Sequence, residues 1–166
     1  MDVEKTIKGK HILVVDDERD ILNIIEELLE VCKIDTADNF RDAKALLEKI
    51  HYDLVVLDIM GVDGYELLRT ANSRDIPALM LTAHALTSED LKRSAEEGAA
   101  YFAPKDKVED LPKFIADVLD AIEKKKSPWK RMFDRLGGFY DKRFNGPDWR
   151  EKENAYWERK MKEQGY

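Results

Sequence analysis

The chain has 166 residues, of which 43% are hydrophobic, and a formal net charge of −7 at pH 7. This length suits one domain of ordinary size with a smaller appendage. No apolar run is long enough to cross a bilayer, and the first residues lack the apolar segment of a signal peptide, so we expect no membrane insertion. The single cysteine, Cys32, excludes an internal disulfide and favours a reducing, cytoplasmic setting.

Charge divides the chain into two parts. Residues 1–123 carry a net charge of −13, whereas residues 124–166 carry +6 and contain all three tryptophans. Such a change of composition predicts a boundary between structural units. We therefore expect a leader at 1–9, one domain at 10–124, and a helical, aromatic and basic extension at 125–166.

Apolar runs alternate with helical patterns along the first part. Strands are predicted at 11–16, 33–37, 53–58, 76–82 and 100–103, and helices at 19–31, 40–50, from Tyr65 onward, from Thr87 or Ser88 to Gly98, and at 108–124. Short apolar strands that alternate with helices favour a doubly wound parallel sheet with helices on both faces. We predict a flavodoxin-like (βα)5 fold with strand order 2-1-3-4-5, in which strands one and three are neighbours.

The extension has a pattern of its own. Ser127-Pro128 is a helix-start signal, and the turn at 145–147 precedes a second predicted helix from Asp148. Gly137-Gly138 are expected to interrupt the first of these helices. Large apolar side chains recur at helical spacing through both: Trp129, Met132, Phe133, Leu136, Tyr140, Trp149, Tyr156, Trp157 and Met161.

Two interpretations of the extension stay open. Its aromatic side chains either pack back on the preceding domain, or form a docking element for a protein partner, since aromatic and arginine side chains are enriched at binding sites. Nucleic-acid binding is disfavoured because acids are mixed with the basic side chains. The extension is also too short for a typical winged-helix domain, so no DNA-binding output domain is expected.

Polar side chains stand at the ends of the predicted strands. Asp16-Asp17 end the first strand, Asp58 the third and Thr82 the fourth, while Lys105 follows the fifth. Because ligand sites lie outside the carboxyl ends of parallel strands, these side chains should converge. Carboxylates without sulfur or imidazole favour Mg²⁺ over Zn²⁺. A carboxylate beside Mg²⁺ can attack phosphorus, and Asp58 is the best candidate, with Thr82 and Lys105 to neutralise the phosphoryl oxygens.

This set of residues resembles the receiver domain of two-component response regulators. The resemblance rests on Asp16-Asp17, Asp58, Thr82-Ala83, Phe102 and Lys105, and it covers about residues 10–124. It implies that Asp58 accepts a phosphoryl group from a histidine kinase or a phosphotransfer protein in a Mg²⁺-dependent reaction. It implies a signalling protein rather than an enzyme, which catalyses only its own phosphorylation and dephosphorylation.

The resemblance also implies the metal ligands and the switch. Asp17 would bind Mg²⁺ directly and Asp16 mainly through water, and Asp58 and the backbone carbonyl of Met60 would be further ligands. Thr82 would bond the phosphoryl oxygen and Lys105 would pair with it. Movement of Thr82 would vacate space for Phe102 to turn inward. This would change the switch face, the surface formed by the fourth predicted helix, the fifth strand and the fifth predicted helix, for a downstream protein partner.

The chain departs from the family pattern in two places. The loop 58–64 is about two residues shorter than usual and lacks the common proline, and Lys105 is followed by Asp106, with Pro104 before it. The first change reshapes the wall of the site, and the second alters the loop after the fifth strand. Met60 and His84 occupy positions that tune the dephosphorylation rate in the family.

Three other classes of protein fit the sequence less well. A phosphatase of the haloacid-dehalogenase type would want a second acid two residues after its nucleophile, where Met60 stands. A dinucleotide-binding domain would want a glycine-rich turn after the first strand, where Asp17-Glu18-Arg19 stands. A scaffold with a vestigial phosphosite disagrees with the intact set of five residues. No helical motif surrounds any of the three histidines as a phosphohistidine would need.

Overall fold

The computed structural model describes residues 1–83 and 87–163, and the strands within them form one parallel sheet. The strands are β1 (His11–Val15), β2 (Lys33–Ala37), β3 (Leu54–Asp58), β4 (Ala78–Thr82) and β5 (Tyr101–Pro104). Their order is β2-β1-β3-β4-β5, which confirms the predicted topology. Every residue of β3, β4 and β5 is buried, as expected for parallel strands covered on both faces.

Helices connect the strands and continue beyond them. They are α1 (Val3–Ile7), α2 (Arg19–Leu28), α3 (Phe40–Lys49), α4 (Gly64–Ser73), α5 (Ser88–Glu96), α6 (Leu111–Glu123), α7 (Pro128–Arg143), α8 (Asp148–Glu151) and α9 (Asn154–Lys162). A 3₁₀ helix at Lys105–Asp110 joins β5 to α6. The predicted fourth and fifth helices are thus α5 and α6, so the switch face is formed by α5, β5 and α6. None of the described helices combines the length and apolarity needed to span a bilayer.

Side-chain caps fix several helix starts. Asn39 accepts the backbone N–H of Asp42 at the start of α3, and Thr87 accepts that of Asp90 at the start of α5. Ser127 caps α7 in the same way, with Pro128 as its first residue. A hydroxyl or amide oxygen at this position satisfies a backbone donor that the helix itself leaves unpaired. The predicted start at Ser127-Pro128 is therefore correct.

The leader contains a short helix that the sequence pattern did not predict. α1 packs against α6, and its Ile7 is buried. The thiol of Cys32 donates to the carbonyl of Ile7 at 3.3 Å. Burial raises the pKa of Cys32 to about 11, so the thiol stays protonated and acts as a small apolar side chain.

The prediction that Gly137-Gly138 interrupt the helix is wrong. α7 runs without a break from Pro128 to Arg143. Each glycine costs roughly 1 kcal/mol relative to alanine in a helix, but the buried face of α7 outweighs this cost. The second predicted helix is instead split into α8 and α9, after a turn in which Asn145 and Gly146 have φ of +63° and +115°.

The extension packs on the domain that precedes it. α7 lies against α6 and β5, and α9 lies against α7. Six large side chains of the extension are buried by this packing: Trp129, Met132, Phe133, Leu136, Tyr140 and Trp157. Of the two interpretations left open by the sequence, packing on the domain is therefore the arrangement that the structure has.

Candidate functional site

Two buried carboxylates meet at the carboxyl end of the sheet. In the parallel pairing of β1 with β3, Val15 lies opposite Leu57, which places Asp16 and Asp58 side by side just beyond that pair. Asp16 is 1% exposed and Asp58 is 5% exposed. The apolar strands that precede them thus hold both acids in fixed positions, as the sequence pattern predicted.

Lys105 reaches between the two acids from the end of β5. Its Nζ lies 2.8 Å from Oδ2 of Asp16 and 3.4 Å from Oδ1 of Asp58. The same ammonium donates to Oε1 of Glu18 at 3.0 Å. The side chain of Lys105 is only 10% exposed. The single ammonium of Lys105 therefore pairs with several carboxylates in a largely desolvated pocket.

Burial and neighbouring charges shift the pKa values of the two acids and of Lys105. Burial, and then the charge of Asp16, raises the pKa of Asp58 to about 6, although Lys105 opposes the change. Burial also raises the pKa of Asp16, again against the effect of Lys105. For Lys105 burial favours the neutral form, but the surrounding carboxylates outweigh it and raise its pKa. The pocket therefore favours additional positive charge.

The oxygens that could hold a cation lie beside this pocket. Carboxylate oxygens of Asp16, Asp17 and Glu18 come within 4.8 Å of one another. Oδ1 of Asp16 accepts the backbone N–H of Glu18 at 2.9 Å, whereas its buried Oδ2 meets Lys105 as an ion pair and has no hydrogen bond of normal geometry. An all-oxygen set with one under-satisfied buried oxygen fits Mg²⁺.

Glu18 is the member of this group that sequence reasoning missed. The sequence offers one signal for it, which is its position directly after Asp16-Asp17. In the sequence analysis this position serves only to show that a glycine-rich turn is missing there. Asp58 lies beside Asp16 but is not one of the three acids grouped by their oxygens, and Lys105 links it to them. The ligand set predicted from the resemblance therefore stays a prediction.

The loop after β3 leaves the pocket open and depends on glycine. Gly61 has φ of +81°, and a Cβ there would lie 2.4 Å from Oδ2 of Asp17. A Cβ on Gly64 would lie 2.1 Å from the backbone oxygen of Asp58. The side chain of Met60 is 75% exposed at the rim. The short loop thus passes close to the carboxylate of Asp17 and to the backbone of Asp58. Only glycine, which has no side chain, fits at these two positions.

Thr82 and Phe102 share one face of the sheet. Thr82 is the buried last residue of β4 and pairs with Pro104, and Met80 pairs with Phe102. Alternate residues of a strand point to the same face, so the side chains of Thr82 and Phe102 project together. Phe102 is fully buried, and its ring centroid lies 5.9 Å from that of Tyr140 in α7. His84 lies outside the described residues.

Comparison with known proteins agrees with this geometry. The profile of the response regulator receiver domain family matches residues 12–116. The heme response regulator HssR of Staphylococcus aureus (strain Newman) is 45% identical over 82 residues, a match that covers 46% of this chain and 37% of HssR. The chain thus spans well under half the length of that relative. The extension at 127–163 lies outside the residues that the family profile matches.

Solved structures of receivers are similar to this chain. A CheY-like response regulator receiver domain protein from Methanospirillum hungatei JF-1 has a TM-score of 0.64 and 28% identity over 70% of this chain and 98% of its own. CheY4 of Vibrio cholerae has a TM-score of 0.61 and 27% identity over 67% of this chain and 99% of its own. With the profile, the strand order and the acid pocket in agreement, the chain belongs to the response regulator receiver domain family.

Proposed function

We propose that this chain is a phosphorylation-controlled signalling switch in which Asp58 accepts a phosphoryl group from a histidine kinase or a phosphotransfer protein. The observation that carries the proposal is the position of Lys105, between the buried carboxylates of Asp16 and Asp58. A fixed ammonium beside a desolvated carboxylate suits the transfer of a negatively charged group to that carboxylate.

The reacting atoms belong to Asp58 and to the donor. A carboxylate oxygen of Asp58 forms a bond to phosphorus while the bond from phosphorus to the donor imidazole nitrogen breaks. The bonding electrons leave with that nitrogen, which is neutral after it takes up a proton. Lys105 pairs with a phosphoryl oxygen, and the hydroxyl of Thr82, at the end of the neighbouring strand, donates to another. Attack of water on the same phosphorus later breaks its bond to the Asp58 oxygen, which releases inorganic phosphate and restores the carboxylate.

A bound Mg²⁺ would balance the negative charge of the pocket. Asp16, Asp17 and Asp58, with the backbone carbonyl of Met60, would hold it, and the carboxylate of Glu18 is close enough to Asp16 and Asp17 to join them. When bound, Mg²⁺ neutralises charge on the phosphoryl oxygens. The exposed Asp17 and Glu18 leave the pocket accessible to the cation and to a phosphodonor.

The charges of the extension support a protein-directed output. Arg131 pairs with Asp120, Arg135 with Asp117, and Arg150 with Asp141, so these guanidinium groups are engaged within the molecule. They are therefore not presented together to a nucleic-acid backbone. We assign the downstream partner to the protein class, with the switch face as the surface that responds to phosphorylation.

The test is covalent labelling with a small phosphodonor. The protein is incubated with Mg²⁺ and acetyl phosphate, and its intact mass is measured with time. We expect the mass of one phosphoryl group to be added to the wild type and to be lost on standing, with no gain in Asp58→Asn or with EDTA present. Asp75→Asn is the matched control, because Asp75 is exposed and has φ of +57°, which asparagine tolerates.

Two outcomes would contradict the proposal. Labelling of Asp58→Asn at the wild-type rate would place the phosphoryl group elsewhere. Repeated release of phosphate from a stable phosphoester would instead favour a phosphatase.

A further inference from the structure

The extension contacts β5, an outer strand of the sheet, at one point and the segment just before β5 at another. The indole N–H of Trp129 donates to the carbonyl of Ala99 at 2.8 Å, and the hydroxyl of Tyr140 donates to the carbonyl of Phe102 at 2.7 Å. β5 has β4 on one side only, so the carbonyls on its other side need partners from elsewhere. All three side chains, those of Trp129, Tyr140 and Phe102, are buried at this contact.

A second set of contacts fixes α7 to α6. Nε and Nη2 of Arg135 donate to the two oxygens of Asp117 at 2.7 and 3.0 Å. The hydroxyl of Tyr101, in β5, donates to the same carboxylate at 2.7 Å. One helical turn earlier, Arg131 pairs with Asp120 at 3.0 Å. The buried carboxylate of Asp117 therefore ties β5, α6 and α7 together.

A third contact reaches α5. Nζ of Lys92 lies 2.8 Å from Oε1 of Glu153, between α8 and α9. The same ammonium lies 5.4 Å from the ring centroid of Tyr156 in α9. The extension thus contacts α5, β5 and α6, which together form the switch face.

We infer that residues 127–163 are an internal occupant of the switch face, and that phosphorylation of Asp58 weakens their hold on it. This inference rests on the proposed function. A partner that binds the switch face must then compete with the extension. The surface is shaped for an amphipathic helix with aromatic anchors and arginine on one side, since this is the element that now fills it.

The coupling passes through Phe102. Its side chain shares a sheet face with that of Thr82, its ring packs against Tyr140, and its carbonyl holds the Tyr140 hydroxyl. If Thr82 moves toward the phosphoryl group, the Phe102 side chain moves into the space that is left, and its ring contact with Tyr140, beside the Tyr140 hydrogen bond, is disturbed. Because the coupling is thermodynamic, a looser extension must also favour the phosphorylated state.

The extension carries its own reporter, because Trp129, Trp149 and Trp157 are the only tryptophans of the chain. The full chain is treated with Mg²⁺ and beryllofluoride, a phosphoryl mimic, and adduct formation is followed by fluorine NMR. In the same sample, tryptophan emission, acrylamide quenching and amide exchange of α7 are measured. We expect a red shift, stronger quenching and faster exchange when the adduct forms, and no change in Asp58→Asn.

A conservative variant tests the coupling residue. Tyr140→Phe keeps the ring but removes the donor to the Phe102 carbonyl. We expect amide exchange of α7 without beryllofluoride to rise about two- to ten-fold, the range set by one hydrogen bond. Affinity for beryllofluoride should rise by the same factor. Tyr156→Phe, in α9 beside Lys92, is the control and should change neither quantity.

Failure of this inference can be distinguished from failure of the proposed function. Adduct formation with unchanged or slower exchange of α7 would overturn the inference and leave the proposed function intact. The inference would also be wrong if Tyr140→Phe loosened α7 but left beryllofluoride affinity unchanged. Absence of any adduct in the wild type would instead count against the proposed function, and the inference would fall with it.

Discussion

At the scale of single residues, the pocket holds more negative charge than Lys105 can neutralise. The pKa of Asp58 is raised to about 6 mainly by burial, and next by the charge of Asp16. Unfolding returns this carboxyl to water, where its pKa is near 4. Ionisation of Asp58 therefore opposes folding, and the opposition is complete above about pH 6.

Removing this charge should stabilise the metal-free protein. We expect Asp58→Asn to raise the free energy of unfolding at pH 7.5 in EDTA by about 1–3 kcal/mol, since each pKa unit corresponds to ~1.4 kcal/mol and the open rim screens part of the effect. The gain should shrink below pH 6 and vanish below about pH 3, where the carboxyl is protonated in both states. Urea unfolding at several pH values measures this.

The stability of Asp58→Asn is compared with that of a control variant. Asp106→Asn removes an equal charge from an exposed position and should change stability little at any pH. If Asp58→Asn were less stable than the wild type at pH 7.5, or if its gain were the same at pH 4.5, the account of the pocket would be wrong.

The residues of this pocket could be predicted to different degrees. Asp16, Asp58 and Thr82 end buried strands, so the sheet order alone brings them to one edge. The ion pair of Lys105 with Glu18 could not be predicted, because it depends on where a long side chain points after the end of β5. Strand periodicity carries no information about that direction.

At the scale of elements, the burial of apolar side chains determined the secondary structure where local helix or strand propensity was ambiguous. The strands and the helices between them were predicted nearly to their ends, because each has a clear apolar period. α1 was missed because five residues carry too little periodicity to recognise. The glycines of α7 were misjudged because propensity is a weak guide where a helix buries a whole face against its neighbours.

The glycines differ in what a methyl group would meet. A Cβ on the exposed Gly138 has no neighbour within 4 Å, so Gly138→Ala should stabilise the protein by about 0.5–1 kcal/mol through helix propensity. At Gly64 the same change would collide with the backbone of Asp58 and should cost about 1–3 kcal/mol. Thermal unfolding of the two variants compares them directly. Equal effects of the same sign would contradict the geometry of α7 or of the loop after β3.

At the scale of the whole molecule, an acidic domain carries a basic extension. The −13 of residues 1–123 and the +6 of residues 124–166 meet in the pairs of Arg131 with Asp120 and Arg135 with Asp117, whereas in the pair of Lys92 with Glu153 the extension supplies the acid. The sequence predicted the charge boundary and the apolar face of the extension. It could not predict the surface that this face covers, since any apolar face of suitable shape satisfies the pattern.

Salt should therefore loosen the extension. The screening length falls from ~10 Å at 0.1 M to ~3 Å at 1 M salt, and partly exposed pairs contribute roughly 0.2–1 kcal/mol each. We expect amide exchange of α7 and α9 to rise about two- to five-fold in 1 M NaCl. Glu153→Gln should reduce this dependence, whereas Glu151→Gln, an exposed residue of α8, should not. Exchange that slows in salt would show that apolar packing alone holds the extension.

The seating of α7 along β5 has one more consequence. A parallel sheet ends in two outer strands, and a bare outer strand is a template on which another polypeptide can add itself, backbone to backbone. Here the hydroxyl of Tyr140 donates to a carbonyl of one such margin, and the indole of Trp129 donates to the carbonyl of Ala99 just before it. Dissociation of α7 would expose that margin together with a patch of aromatic surface. Self-association between molecules is therefore expected to rise whenever the extension dissociates from the sheet.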